Sequence, residues 1–328
     1  MPRLLNFGSL NLDKTYSVPH IIRPGETLAA THYDVFIGGK GLNQSIALAR
    51  AGADVMHAGL VGETDGDALL ARLEENDVDT TLVEKRPLPS GHTIIQVDDS
   101  GANCIIVEGG ANRAVDAAFA EKVLSQFNTG DVLILQNEIS ALAEIVDMAS
   151  ERGMKIVLNP SPMDERLQAL DLSKIDIFVV NEGEGAAMTG AEVPEDILNI
   201  YSERFPHQTV ILTLGEKGAW YQGAAQPFAM SQGADAAPAG KQVENATSSA
   251  SSPAQAPLRF YTPAETIKPV DTTGAGDTFS GYLIAGLISG LTPQQAMARA
   301  TKAAAIACLT KGASNAIPRW EDVPWTDQ

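Results

Sequence analysis

The chain has 328 residues, of which 44% are hydrophobic and 20% are charged, a composition typical of a globular protein with a sizeable core. It carries 41 acidic and 23 basic residues, and the formal net charge of -18 disfavours binding to nucleic acid or to an anionic membrane surface. The N-terminus lacks the apolar core of a signal peptide and no apolar run reaches transmembrane length, so we expect a cytoplasmic protein without a membrane-spanning segment.

Short apolar segments alternate with segments of helical period along most of the chain. After an N-terminal segment that reads as a strand, short and mostly apolar runs occur at residues 132–135, 155–158, 175–180 and 209–213. A helical pattern at residues 140–152, closed by Gly153, separates the first two runs. Apolar strands separated by helices are typical of a parallel sheet covered on both faces. The sequence therefore predicts a three-layer α/β/α fold with a mostly parallel, doubly wound sheet.

Two regions depart from this pattern. At residues 10–36 and 91–107, apolar and polar residues alternate over shorter distances. The second region contains an Asp-Asp-Ser-Gly turn at residues 98–101 between two alternating segments, which indicates a hairpin. We expect the two regions to form a small β-sheet over one edge of the main domain. Two peripheral hairpins without a role are the alternative.

Residues 231–257 are dominated by Ala, Ser, Gly, Gln and Pro, with Val243 as their only large apolar residue. Such a segment cannot bury enough apolar area to offset the entropy lost on ordering. We therefore expect a disordered surface insertion within a single domain of residues 1–328. The two cysteines, Cys104 and Cys308, are far apart and are expected to be buried and reduced.

Two polar motifs lie in the N-terminal part of the chain. Asn11 and Asp13 are two positions apart, so on an extended segment both side chains point the same way, as binding of neighbouring sugar hydroxyls requires. Residues 38–44 (GGKGLNQ) allow a ligand close to the backbone, with Lys40 and Asn43 as donors, and a helical pattern follows at residues 45–51. Each motif alone could equally be a turn. The glycine spacing is not that of a Walker loop or a dinucleotide fingerprint, which argues against a nicotinamide-dependent oxidoreductase.

The strongest motif is residues 269–279 (PVDTTGAGDTF), followed by an apolar helical pattern at residues 280–288. Glycines let successive backbone N–H groups point outward, and the positive end of the helix adds to a pocket suited to phosphate. Asp277 would lie in the first turn of this helix, where its carboxylate could accept a proton from an attacking hydroxyl. For an isolated motif, an acid that only complements the helix dipole is the alternative.

These motifs, in this order, resemble those of the ribokinase-like (PfkB) carbohydrate kinases. The resemblance extends from the first strand to about Pro318, and residues 38–44 together with residues 24–27 (PGET) are most similar to the ribokinase branch. It implies a kinase that transfers the γ-phosphate of ATP to a primary hydroxyl of ribose. A kinase for deoxyribose, a ketohexose or its phosphate, or a nucleoside is one alternative. A non-catalytic sugar or nucleotide sensor on the same fold is another, which the intact Asp277 and its neighbouring glycines disfavour.

The resemblance also implies roles for individual residues. Asp277 matches the catalytic base, beside an anion hole formed by Gly274, Ala275 and Gly276. The positions matching the sugar-binding residues are Asn11, Asp13, Gly39, Lys40, Asn43 and Glu138. Asn181 and Glu184 match an Asn-x-x-Glu motif that helps to organise magnesium and phosphate. The positions matching the nucleotide site are Thr213, Gly215 and Gly218.

The family also uses a monovalent cation, usually potassium, near the anion hole. The matching positions are Asp271, Thr273, Ala307, Thr310 and Gly312. Ala316 departs from the family, because ribokinases carry a serine there. The implied cofactors are thus Mg²⁺ with ATP, and K⁺. In this family the small sheet is a lid over the sugar and also a dimer surface, so a homodimer is expected.

Overall fold

The computed structural model describes residues 2–228 and 257–324, so residues 231–256 of the predicted insertion lie outside the described part. The strands are β1 (Leu4–Phe7), β2 (Asn11–Val18), β3 (His32–Gly38), β4 (Val55–Gly62), β5 (Asp79–Arg86), β6 (Gly91–Asp98), β7 (Asn103–Glu108), β8 (Val132–Gln136), β9 (Lys155–Asn159), β10 (Ile177–Asn181), β11 (Thr209–Thr213), β12 (Gly218–Gly223) and β13 (Leu258–Pro263). The helices are α1 (Lys40–Arg50), α2 (Asp67–Glu74), α3 (Ala117–Leu124), α4 (Leu142–Glu151), α5 (Glu182–Thr189), α6 (Pro194–Arg204), α7 (Ala275–Ile288) and α8 (Pro293–Ala307). Among the described residues, no helix is both long and apolar enough to cross a membrane.

The main sheet has the strand order β13-β12-β11-β10-β9-β8-β1-β4-β5. All neighbours from β5 to β11 pair in parallel, whereas β12 and β13 are antiparallel. Successive strand residues face opposite sides, so that Leu4 joins one apolar cluster and Leu5 the other. The first cluster packs against α1, α2, α7 and α8, and the second against α3, α4 and α6. The predicted three-layer α/β/α fold is confirmed.

The small sheet has the order β3-β2-β6-β7, with β2 and β6 parallel and the two outer pairs antiparallel. The predicted hairpin joins β6 to β7: Asp98 Oδ1 accepts hydrogen bonds from the backbone N–H groups of Ser100 at 2.9 Å and Ala102 at 3.0 Å. The small sheet predicted by the alternating pattern is therefore present. Cys104 is exposed rather than buried, because β7 is an edge strand, while Cys308 is buried, and both thiols are free.

The first glycine-rich segment differs from its prediction. We predicted a helix at residues 45–51 after a loop, but α1 begins at Lys40, inside the motif. The preceding residue, Gly39, has a φ of 96°, a conformation that strains other residues, and the helix can begin directly after it. Asn43 and Gln44 consequently lie near the start of a helix. At the other motif, α7 begins at Ala275, which puts Asp277 in its first turn.

Candidate active site

The candidate site lies where the carboxyl ends of the parallel strands meet. The polar residues that end β8, β9, β10 and β11 are Gln136, Asn159, Asn181 and Thr213. Because these strands are parallel, their carboxyl ends share one edge of the sheet, which is where ligands bind in open α/β sheets. Helices α1 and α7 start at the same edge, as the contacts of Asp277 show.

Asp277 joins the two glycine-rich motifs. Its Oδ2 accepts a hydrogen bond from Asn43 Nδ2, and its Oδ1 accepts one from Gln44 Nε2, each at 3.0 Å. Asp277 is 8% exposed and Asn43 is 5% exposed, so both are nearly withdrawn from solvent. Asn43 Oδ1 is buried and has no hydrogen-bond partner within residues 2–228 and 257–324. This oxygen is therefore an unused hydrogen-bond acceptor next to Asp277.

The start of α7 is suited to an anion. Gly274 has a φ of 76°, which turns the chain into the helix. Within the described residues no side chain caps this end of α7, and a Cβ at Gly276 would meet no atom within 4 Å. The first N–H groups of a helix lack partners within it, and they carry the positive end of its dipole. Asp277 thus lies in the first turn of a helix whose open end is suited to an anion.

Glu138 and Lys40 form the wall of the site on the α1 side. The Glu138 Oε2 accepts hydrogen bonds from the backbone N–H of Lys40 at 3.0 Å and from Ser9 Oγ. Burial raises the pKa of Glu138. Burial alone would lower the pKa of Lys40, but the negative charges of Asp277, Glu138 and Glu184 outweigh it and raise that pKa. Lys40 therefore remains a cation among carboxylates, where it can bind phosphate.

Asn11 and Asp13 lie on the same side of β2, and each is held by a neighbour. Asp13 Oδ1 accepts a hydrogen bond from Thr93 Oγ1 at 2.6 Å, and Asn11 Oδ1 accepts one from Asn112 Nδ2 at 2.8 Å. Burial raises the pKa of Asp13, an effect that the bond from Thr93 partly offsets. A Cβ at Gly38 would lie 2.5 Å from Asp13 Oδ2, so a larger residue would displace this carboxylate.

The residues predicted for the nucleotide and its magnesium ion lie at the ends of β10 and β11 and directly after them. Asn181 and Thr213 are partners in the parallel register of these strands. Asn181 also caps α5: its Oδ1 accepts from the backbone N–H of Glu184 at 2.8 Å, and Glu184 Oε2 accepts from the N–H of Asn181 at 3.0 Å. The turn after β11 contains Gly215 and Gly218, both with positive φ.

The residues predicted for a monovalent cation lie in two segments that Asp271 connects: the loop before α7, and the end of α8 with the loop after it. Its Oδ1 accepts hydrogen bonds from the N–H of Thr273 at 2.9 Å and from Thr273 Oγ1 at 2.7 Å, and its Oδ2 accepts from the N–H of Gly312 at 2.9 Å. Burial alone would raise the pKa of Asp271, but these hydrogen bonds lower it. Thr310 donates its N–H to the carbonyl of Ala307 at 3.3 Å, which brings these two predicted positions together as well.

Three residues at the site had no predicted role. Ser9 bonds to Glu138, and Gln44 contacts both Asp277 and Gln136. Each partner is more than 90 positions away in the chain. In the sequence, the only indication of their role is that each lies within two residues of a predicted site residue.

Comparison with known proteins places the chain among sugar kinases. Residues 1–243 and 254–320 match the sequence profile of the pfkB family of carbohydrate kinases. The ribokinase of Haemophilus influenzae is 31% identical, over 95% of this chain and 94% of its own length. The deoxyribokinase of Salmonella typhi is 27% identical, over 96% of this chain and 95% of its own length. The crystal structure of ribokinase from Cryptococcus neoformans in complex with ADP superposes with a TM-score of 0.74 at 28% identity, over 98% of this chain and 99% of that chain.

Proposed function

Because the chain belongs to the pfkB family of carbohydrate kinases, we propose that it transfers the γ-phosphate of ATP to a primary hydroxyl of ribose, giving ribose 5-phosphate. The observation that carries this proposal is the contact between Asn43 and Asp277. It puts the candidate base of the phosphate-binding helix against the candidate sugar loop. A sugar hydroxyl and a phosphate can therefore meet at one carboxylate.

The proposed reaction needs few chemical groups from the protein. Asp277 accepts the proton of the attacking hydroxyl, while the sugar oxygen forms a bond to phosphorus and the bond from phosphorus to ADP breaks. The N–H groups of Gly274, Ala275 and Gly276 stabilise the charge on the transferred phosphoryl group. Lys40 adds a fixed positive charge beside them.

The sugar lies between α1 and the small sheet in this proposal. Asp13, Asn11, Glu138 and Asn43 Oδ1 are acceptors for its hydroxyls, and the N–H of Gly39, the side chain of Lys40 and Asn43 Nδ2 are donors. Support comes from the buried, unpartnered Asn43 Oδ1, which lacks a hydrogen-bond donor that a sugar hydroxyl would provide. The mixture of acceptors and donors suits a ligand whose hydroxyls do both.

Adenosine triphosphate reacts as its magnesium complex, and the metal neutralises charge on the phosphates while it keeps several of its waters. Asn181 and Glu184 are the residues that would organise this complex. The fit is supported by burial and charge, since Glu184 is buried and its charge acts on Lys40 at the site. Thr213, Gly215 and Gly218 would hold the nucleotide in the turn after β11.

We also propose a potassium site beside the anion hole. Within the described ranges no group of three or more His, Cys, Asp or Glu side chains could hold a metal, so backbone oxygens would have to supply most of the ligands. The proposed set fits that chemistry, because it combines the carboxylate of Asp271 with backbone oxygens of Thr273, Ala307, Thr310 and Gly312. A bound cation would stabilise the loops that flank the start of α7.

The small sheet would act as a lid over the sugar and as the surface of a homodimer. On its edge strand β7, Ile106 is 59% exposed and Val107 is 67% exposed. Exposed apolar residues grouped in this way are typical of an interaction surface. We place this dimer of single-domain kinases in the cytoplasm, where ATP is available.

The proposal is tested by ADP release in a coupled assay with ribose, deoxyribose, ketohexoses and nucleosides, with and without KCl. We expect ribose to give the highest kcat/KM. A higher kcat/KM for deoxyribose would assign the second candidate function, which the similarity to a deoxyribokinase favours. Failure to turn over any acceptor would contradict a kinase and favour a sensor.

A further inference from the structure

Gln44 holds one oxygen of the Asp277 carboxylate from inside the protein. Gln44 is 1% exposed, and its Nε2 donates to Asp277 Oδ1 at 3.0 Å. The same nitrogen lies 3.4 Å from Asn159 Oδ1, a longer contact. The other carboxylate oxygen, Oδ2, accepts from Asn43, whose own Oδ1 has no partner in the described parts of the chain. Oδ1 of Asp277 is thus held by a fully buried residue, and Oδ2 by a residue that still has an unused acceptor.

The orientation of the Gln44 amide is fixed by a chain of hydrogen bonds that begins at a backbone carbonyl. Asn6 Nδ2 donates to the carbonyl oxygen of Gly41 at 2.7 Å, an atom that can only accept. Asn6 must therefore turn Oδ1 towards Gln136, whose Nε2 donates to it at 3.0 Å. Gln136 Nε2 also donates to Gln44 Oε1 at 2.7 Å, which leaves Nε2 of Gln44 facing Asp277.

All the residues linked by these hydrogen bonds are buried. Asn6 and Gln136 are fully withdrawn from solvent, on the neighbouring strands β1 and β8. A reversed Gln44 amide would set its oxygen against the Asp277 carboxylate and its nitrogen against Gln136 Nε2. Both contacts would be repulsive and would leave buried groups unpaired, so only one orientation of the amide is stable.

We propose that Gln44, oriented by Gln136, is the positioning residue of Asp277: it holds Oδ1 so that Oδ2 is the atom that takes the proton of the sugar hydroxyl. This inference rests on the proposed kinase function. In this proposal Asn43 exchanges its bond to Oδ2 for contacts with the sugar, whereas Gln44 stays on Oδ1, because it is buried and Gln136 holds its other end. In the transfer step, the sugar O–H bond breaks, its proton goes to Oδ2, the sugar oxygen bonds to phosphorus, and ADP leaves with the electron pair of the broken bond.

The first test is Gln44→Met, which keeps the length of the side chain and removes the donor. We expect kcat for ribose to fall by roughly 10- to 100-fold, because a small misplacement of a reacting group has a cost of this order, while KM for ribose stays within about 3-fold. The matched control is Gln222→Met. Gln222 is also a buried glutamine, and its Nε2 donates to the carbonyl of Leu198 and to Ser202 Oγ, far from the site. The control should lower the melting temperature and leave kcat unchanged.

The second test is Gln44→Glu. This substitution keeps the shape of the side chain, but its ability to donate a hydrogen bond depends on pH. The introduced acid can donate to Oδ1 only while it is protonated, and two carboxyl groups this close keep one proton between them to higher pH than either would alone. Lys40 on α1 and Glu138 after β8 each interact electrostatically with Asp277, and the substitution changes neither of them. We expect kcat of Gln44→Glu to exceed that of Gln44→Met at low pH and to fall below it as the pH rises.

The outcomes separate this inference from the function on which it rests. Absence of sugar turnover by the unaltered protein would overturn the proposed function. Wild-type kcat in Gln44→Met, or identical pH profiles for the Met and Glu variants, would overturn the role of Gln44 alone. If Gln44→Met does not fold, Gln136→Met replaces it. That variant releases the Gln44 amide and should lower kcat by about 3- to 10-fold at unchanged KM, and a wild-type kcat there would equally overturn the inference.

Discussion

Gly281 packs directly against Ala47: a Cβ added to Gly281 would overlap the Cβ of Ala47, so α7 and α1 cross where only glycine leaves room. Gly281 lies four residues after Asp277, and Ala47 lies four residues after Asn43. Residues four apart share one face of a helix, so this crossing brings the two site residues together one turn away. The packing of a glycine inside the core thus sets the geometry of the candidate active site.

We therefore expect Gly281→Ala to damage both stability and activity. Overpacking of a core contact costs about 1–3 kcal/mol, more than the roughly 1 kcal/mol that alanine gains over glycine in a helix. The displaced helices would also separate Asn43 from Asp277 and lower kcat. Chemical denaturation and the kinase assay measure the two effects.

The control is Gly286→Ala, on the same helix. A Cβ there would lie 3.2 Å from the Cβ of Ala296 on α8, a tight contact that involves no site residue. This variant should keep its kcat. Full stability and full activity of Gly281→Ala would contradict the role given to the crossing.

Thr93→Val tests the proposal that the small sheet holds the sugar. The variant keeps the shape of the side chain but removes the hydrogen bond to Asp13 Oδ1. We expect KM for ribose to rise about 10-fold, since a misplaced acceptor loses part of its bond to a sugar hydroxyl, with a smaller change in kcat. The control is Thr15→Val, on the same side of the small sheet. Equal KM values for the two variants would contradict a role of Thr93 in sugar binding.

His57 predicts a pH dependence of stability. Burial lowers its pKa from 6.5 to about 4, and its Nδ1 lies 2.7 Å from Ser45 Oγ. Below pH 6.5 the unfolded chain binds a proton that the folded chain does not. The free energy of unfolding should therefore fall as the pH drops from about 6.5 to about 4, by roughly 3 kcal/mol in total.

Urea denaturation of the wild type and of His57→Asn at pH 7 and pH 4.5 measures this contribution. The variant is expected to be less stable at pH 7 but to lose less stability on acidification, because its side chain does not titrate. Identical losses in the two proteins would show that His57 is not the group responsible.

Asp271→Asn tests the proposed cation site. The wild-type kinase should turn over faster in KCl than in the same concentration of NaCl, which keeps the ionic strength constant. Loss of the carboxylate removes the charged ligand and weakens the bond from the N–H of Gly312, which joins the segment before α7 to the loop after α8, as well as the local bond from Thr273. The variant should therefore show a lower kcat and no preference for KCl. If Asp271→Asn still turned over faster in KCl than in NaCl, the cation would have to bind away from Asp271.

The fold could be predicted from the sequence because its signals are local. Strand β11 has the predicted bounds, Thr209–Thr213, since a continuous apolar run identifies a buried parallel strand. The start of α1 was predicted five residues too late, because glycines within a helix look like a loop in a sequence. The positive φ of Gly39, which permits the earlier start, becomes visible only in three dimensions.

The candidate site could be predicted only in part. Asn43 and Asp277 were each recognised within a motif, but their contact spans 234 positions, and nothing local specifies it. Gln44 and Gln136 were missed for the same reason. A buried glutamine has no sequence pattern of its own, and its function depends on the direction of its amide.

The most direct test of the proposed function is the turnover of Asp277→Asn. The amide keeps the size of the side chain but cannot take a proton, so kcat for ribose should fall by about 100- to 10,000-fold. Binding of ribose and ATP, measured by calorimetry, should stay close to that of the wild type. Near-wild-type turnover by the variant would contradict the assignment of Asp277 as the base, and with it the proposed mechanism.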